Sequence, residues 1–267
     1  MKIAICSTNE VPMQVPAGVV YAPAATRLLI AQELANRGHD VTLYCSEDTI
    51  VEAPLKKVSC GIDSIYKQKL DNPGTTFSST YSWTTDNVLY AEMYARAAAG
   101  EHDIILASNP FRVMPFLAQA KVPTVITLHD QLGHNHTLLP HFAKYENHWF
   151  VTISNAQRTP LPDLRYLTTI YHGLDVNSMP YGEVADDYFV YFGRMVEDKG
   201  VLDAIETAKR AGVKLKLVGP HFEGEAAAAY WKEISQHIDG EQIEYLGSLG
   251  KDELFPIVSK AKAFINL

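Results

Sequence analysis

Two hydrophobic rhythms alternate along this chain. Short continuous apolar runs occupy residues 3–7, 40–46, 104–107, 124–128, 149–153 and 168–171. Runs of this length, rich in β-branched residues, mark strands covered on both faces. Segments with helical spacing lie between them. Residues 22–37 place Leu28, Leu29, Ala31, Leu34 and Ala35 at helical intervals, and Gly38 suits the C-terminal end. Residues 83–99 form a second such segment, closed by Gly100, and residues 111–120 a third. Residues 56–69 are ambiguous and read as one or two short strands, while residues 71–80 read as a turn-rich loop. Strands separated by helices of ten or more residues pair in parallel through right-handed crossovers. The first part is therefore expected to be an open, doubly wound sheet.

The rhythm breaks at residues 173–187, a polar stretch carrying Gly and Pro, and the linker is placed there. It resumes with strands at 188–192, 215–218, 243–246 and 263–267 and helices at 202–210, 225–236 and 252–261. The expected fold class is α/β, with domains at residues 1–175 and 176–267. The last apolar run, AFINL, has no covering helix after it, so the second domain is expected to be incomplete or completed by a partner chain.

Composition narrows the picture. A chain of 267 residues suits about two domains at roughly 150 residues each. A net charge of −8 argues against wide nucleic-acid contact or adhesion to anionic lipid by bulk charge. Cys6, Cys45 and Cys60 form an odd set without paired spacing, which reads as reduced, buried thiols in a cytoplasmic protein. The opening MKIAICSTNE is too short in its apolar run for a signal peptide, and no run approaches the ~18 residues needed to span a bilayer.

The candidate chemistry centres on YFVYFGRMVEDKGVLDAIETA, residues 188–208. An apolar strand ends in Gly193-Arg194, and Lys199-Gly200 precedes a helical pattern. Two fixed cations thus stand where a strand hands over to a helix N-terminus, a place that attracts phosphate. The competing reading is a pair of solvated cations, with Lys199 bonded to Glu197 or Asp198. His129 follows the apolar run TVITL, at the carboxyl end of a strand where open α/β sheets bind ligands. It reads equally as a loop histidine beside an N-capping Asp130. Gly18 lies in the long first strand–helix loop and reads as a close-approach glycine or a plain flexible turn. Histidines 129, 134, 136, 141 and 148 lack cysteines and any HExxH among them, so no metal site is expected. The first loop, STNEVPMQVPAG, lacks GxGxxG, which sets aside a dinucleotide-dependent oxidoreductase.

Several segments together resemble a known family. They are RLLIAQELANRGHDVTLYCSE (27–47), TLHD (127–130), TISNAQR (152–158), IYHGLDVNSMPY (170–181), YFGRMVEDKGVLDAI (191–205), KLVGP (216–220) and EYLGSLGKDELFPIVSKAKAFINL (244–267). This set is similar to the retaining GT-B glycosyltransferases of family 4. The resemblance implies two doubly wound Rossmann-like domains facing a cleft, the second incomplete here. It implies a nucleotide-diphosphate sugar as donor and a sugar, lipid-linked or small-molecule acceptor, with no cofactor and no nucleic-acid partner. Catalytic roles fall on His129, Arg194 and Lys199, and donor binding on Gly18, Gly193, Arg194, Lys199, Gly219 and Leu246. Of these, His129 would orient the donor sugar and the two cations would neutralise the leaving diphosphate. The family goes on to a pair of glutamates that hold the ribose and donor sugar, and this sequence stops before them. Weak nucleotide-sugar binding is therefore expected, and a non-catalytic subunit awaiting a complementing C-terminal chain is the alternative reading.

Overall fold

The computed structural model describes residues 1–16, 19, 21–132, 137–174, 176–222 and 224–266. The chain divides into two units, Met1–Pro16 with Tyr21–Gly173, and Ala17–Val20 with Leu174–Leu267. No helix among the described residues is long and apolar enough to cross a membrane.

The first unit is built on seven strands. These are β1 (Lys2–Cys6), β2 (Asp40–Tyr44), β3 (Lys56–Val58), β4 (Ile104–Ala107), β5 (Thr124–Leu128), β6 (His148–Thr152) and β7 (Tyr166–Thr169). All pair in parallel, in the order β3-β2-β1-β4-β5-β6-β7, so the winding reverses between β1 and β4. Alternate side chains feed two cores. Ile3, Ile5, Val41 and Leu43 pack with Ala31 and Ala35 of α1 (Ala22–Asn36). Ala4, Cys6, Tyr44, Ile105, Ile126 and Phe150 pack with Leu89, Tyr90 and Met93 of α3 (Ser79–Ala98) and Val113 of α4 (Pro110–Leu117). Each large side chain so buried is worth about 1.5–3 kcal/mol. Both faces of the sheet are therefore covered, as the continuous apolar runs predict.

Three local expectations are corrected. The ambiguous stretch 56–69, read as one or two short strands, holds a strand only at its start, and its end runs into helix α2 (Ile65–Asp71). Only Ile65 is buried there, so no apolar stripe announces the helix. It is fixed locally instead. The Ser64 hydroxyl accepts the Lys67 N–H at 3.1 Å, and Asp63 and Asp71 bracket the Lys67 ammonium. Helix α3 starts at Ser79, inside the expected loop, because the Ser78 hydroxyl accepts the Tyr81 N–H at 3.2 Å. Helix α4 ends at Leu117, short of residue 120, with Pro115 in its last turn.

The second unit carries β8 (Phe189–Phe192), β9 (Leu215–Val218) and β10 (Ile243–Tyr245), parallel in the order β10-β9-β8. Helices α5 (Val201–Ala211), α6 (Glu225–Ser235) and α7 (Lys251–Lys260) follow the three strands. Tyr191, Leu215, Leu217 and Ile243 meet Val201, Ala204, Ile205 and Ala208 of α5 and Ile234 of α6 in the core. The free edge of β8 is paired by the tail. Val190 bridges Phe264 in parallel, its N–H donating to Ala263 O while it accepts the Ile265 N–H.

Candidate active site

The loop from β8 to α5 holds the two cations. A buried phenol shapes it. Tyr191 points into the core, and its hydroxyl shares a proton between the carbonyls of Arg194, at 3.3 Å, and Lys199, at 3.2 Å. One side chain thus ties both ends of the cation-bearing segment to one point. Burial pushes the phenol up to about 12, so it remains a donor throughout the physiological range. Residues Glu197–Lys199 form a single 3₁₀ turn, and Gly200 turns into α5 at φ +62°. Such a backbone favours glycine. No side chain caps the start of α5. Arg194 is exposed and lies 3.7 Å from Asp198, so Asp198 bonds Arg194 and not Lys199. With the two side chains 46% and 67% exposed, that pair is weak and exchangeable. Lys199 is exposed and has no ion pair among the described residues.

Glycines build the floor beside this loop. Gly219 ends β9 at φ +144°, and a Cβ there would sit 1.8 Å from the Gly193 carbonyl oxygen. Only glycine fits. Gly193 N–H donates to Val218 O, Gly219 N–H to Gly247 O, and Leu246 N–H to Leu217 O. The Tyr245 hydroxyl donates to Gly219 O at 2.8 Å. Gly193, Arg194, Lys199, Gly219 and Leu246 are therefore gathered at the carboxyl ends of three adjacent strands. Gly18 lies outside the described residues.

The first unit places His129 past the carboxyl end of β5, stacked on His172 at 5.3 Å with the rings 11° apart. Burial, then the positive charges of Arg27 and His172, push His129 down to about 4 against the opposing Asp130. Its imidazole is neutral at physiological pH. Gln157 holds this corner. Its Nε2 donates to Leu128 O at 3.1 Å and to Asp130 O at 2.6 Å, and its Oε1 accepts the Ile153 N–H. The backbone on each side of His129 is thereby fixed by one amide side chain. Asp130 caps no helix among the described residues. Of the other histidines, His134 and His136 lie outside the described residues, while His141 is exposed and His148 buried in β6.

At the end of β1 a second polar network is buried. Asp86 of α3 accepts from Thr8 Oγ1 at 3.2 Å and Asn9 N at 2.7 Å, and lies 3.2 Å from Arg112 Nε. The Arg112 guanidinium also sits 3.7 Å over the Trp83 ring. Burial nonetheless raises the Asp86 carboxyl above its ordinary range, outweighing these partners. Glu10 accepts from Ser82 of α3.

Two units, each a parallel sheet with helices, make a Rossmann-like α/β architecture. Solved structures with the GT-B fold superpose on nearly the whole chain. AviGT4, described as a glycosyltransferase involved in avilamycin A biosynthesis, is 15% identical with a TM-score of 0.66 over 98% of this chain and 68% of its own. The apo structure of OtsA is 11% identical, with a TM-score of 0.63 over 98% and 77%. UGT73P12 from Glycyrrhiza uralensis is 9% identical, with a TM-score of 0.58 over 98% and 72%. No curated protein matches the chain. The family profile described as Glycosyltransferase Family 4 matches residues 28–177. The chain belongs to that family and is a glycosyltransferase. The matched stretch includes His129, whereas the cation-bearing loop lies beyond it.

Proposed function

We propose that this chain transfers a sugar from a nucleotide-diphosphate donor to an acceptor hydroxyl, with retention at the anomeric carbon. The bond from C1 to the β-phosphate oxygen breaks, and a bond from C1 to the acceptor oxygen forms on the same face. The acceptor proton passes to the departing phosphate. Arg194 and Lys199 stabilise the diphosphate as its charge grows, which lowers the barrier more than it aids ground-state binding. Gly193 and Gly219 let backbone approach the phosphates, and Leu246 lies beside the nucleotide. Neutral His129 orients the donor sugar by hydrogen bonding and takes no proton. Side chains and the start of α5 carry the neutralisation, so the reading requires no metal. Three free cysteines suit a reducing, cytoplasmic setting.

The observation that carries this reading is the Tyr191 hydroxyl fastening the carbonyls of Arg194 and Lys199 together. A loop tied at both ends by a buried group presents two cations with little further ordering cost. Retention follows the retaining family that the sequence resembles. Assay with a panel of UDP-, GDP- and ADP-sugars, reading the anomeric configuration of the product by NMR, tests the reading. The Arg194→Ala/Lys199→Ala variant is expected to lose transfer by at least about 10²-fold. An inverted product removes retention, and unchanged turnover removes the role of the cations.

A further inference from the structure

Arg27 projects from the first half of α1 and is only 8% exposed. Its Nε and Nη1 are buried without a hydrogen-bond partner. The ion pairs of the first unit, among the described residues, involve other cations. A buried guanidinium left unpaired is costly, by several kcal/mol. The Nε and Nη1 of Arg112 likewise lack a hydrogen-bond partner, but its charge is compensated by Asp86 at 3.2 Å and the Trp83 ring at 3.7 Å. Among the described residues, Arg27 has neither a carboxylate at ion-pair distance nor an aromatic ring beneath it.

Its position is informative. The Arg27 charge acts on Cys6 at the end of β1, on Tyr90 in α3 and on His129 past β5. Arg27 stands in the second turn of α1, the helix that follows the carboxyl end of β1, and its burial turns it toward the sheet at the winding reversal between β1 and β4, where open α/β sheets take ligands. Its influence on His129 agrees with a place on the β5 side of that reversal. On His129 it is the strongest of the charges, with His172 adding to it and Asp130 opposing least. Ser7, directly after Cys6, has a buried hydroxyl that also lacks a partner. A fixed positive charge with unpaired Nε and Nη1 groups supplies the donors an oxyanion needs. Arg27 belongs to none of the segments that hold the second unit's cations.

We propose that Arg27 forms an oxyanion site at the carboxyl ends of β1 and β5, which receives a carboxylate or phosphate carried by the acceptor. The assignment to the acceptor rests on the glycosyl-transfer reading above. The oxyanion site itself does not.

The test uses the full chain labelled with ¹⁵N-arginine, titrated with inorganic phosphate and, separately, with acetate. The Arg27 Nε–H resonance is assigned by its loss in Arg27→Lys and followed in the wild type and in Arg194→Gln/Lys199→Gln. The expected result is a saturable shift of Arg27 by at least one of the two anions, unchanged by the double substitution. The better of the two identifies the group on the acceptor. If Arg194 responds in the wild type while Arg27 stays silent to both anions, the oxyanion site is wrong and the diphosphate reading survives. If Arg27 responds and Arg194 does not, the oxyanion site stands and the diphosphate reading is the one in trouble.

Discussion

The strand ends of the two units carry positive charge in opposite ways. In the second unit, Arg194 and Lys199 are exposed, and what is fixed is the backbone beneath them: Tyr191 below the loop and Gly193 against Gly219. In the first, Arg27 and Arg112 are themselves buried, and Arg112 is locked to Asp86. The difference decides what mutation reports. Exposed cations on a rigid frame can be removed with little effect on folding, so their loss reads out chemistry. Buried cations are part of the fold, and removing one partner strands the other.

The largest effect expected from this contrast is on stability in the first unit. Asp86→Ala leaves Arg112 buried without its carboxylate and takes acceptors from Thr8 and Asn9, so denaturant unfolding should lose about 3–5 kcal/mol. A loss below that of an ordinary surface substitution would mean that the Trp83 ring alone suffices for Arg112. Gly219→Ala comes next. The added Cβ meets the Gly193 carbonyl, and the positive φ disfavours any side chain, giving a loss of about 3 kcal/mol with donor binding impaired as well. A variant as stable as the parent would show that the glycine contact is not tight. Tyr191→Phe keeps the ring and removes the hydroxyl, so stability should fall by about 1 kcal/mol while diphosphate binding weakens. Tight binding by that variant would separate the tether from the site.

The smallest effect is a titration. His129 has a folded pKa of about 4, below its ordinary value of 6.5, so the unfolded chain binds its proton first. The stability it contributes is complete above about pH 6.5 and is lost as pH falls toward 4. Proton NMR of the ring should show His129 unprotonated at pH 5.5; a midpoint near 6.5 would contradict its burial beside Arg27.

Much of this architecture is legible in the sequence, and the exceptions are physical. Strands β1, β2, β4 and β5 announce themselves because burial on both faces demands continuous apolar runs. Helix α2 does not, because it buries one residue and is set by Ser64, Asp63 and Asp71. The strand-to-helix handover marks where Arg194 and Lys199 stand, between β8 and α5, while a diphosphate role for them rests on the family resemblance. Gly219 emerges only through family resemblance, since its reason is a carbonyl on a neighbouring strand. Tyr191, Gln157 and Arg27 give no signal at all. A tyrosine in an apolar strand reads as core, and its hydroxyl partners are a matter of three-dimensional closure. Gln157 stands in the quoted TISNAQR segment, yet nothing in that string says it reaches Leu128 and Asp130. Arg27 lies on a helix whose pattern predicts only its apolar face.

Under the proposed function, a tyrosine-tethered loop presents Arg194 and Lys199 to a diphosphate. Calorimetric titration of UDP, GDP and ADP into the wild type and into Arg194→Ala/Lys199→Ala, with thermal unfolding of both, tests it most directly. Heat of binding is expected for at least one nucleotide in the wild type, with its loss in the variant and the same melting temperature for both. Undiminished binding by the equally folded variant would contradict it.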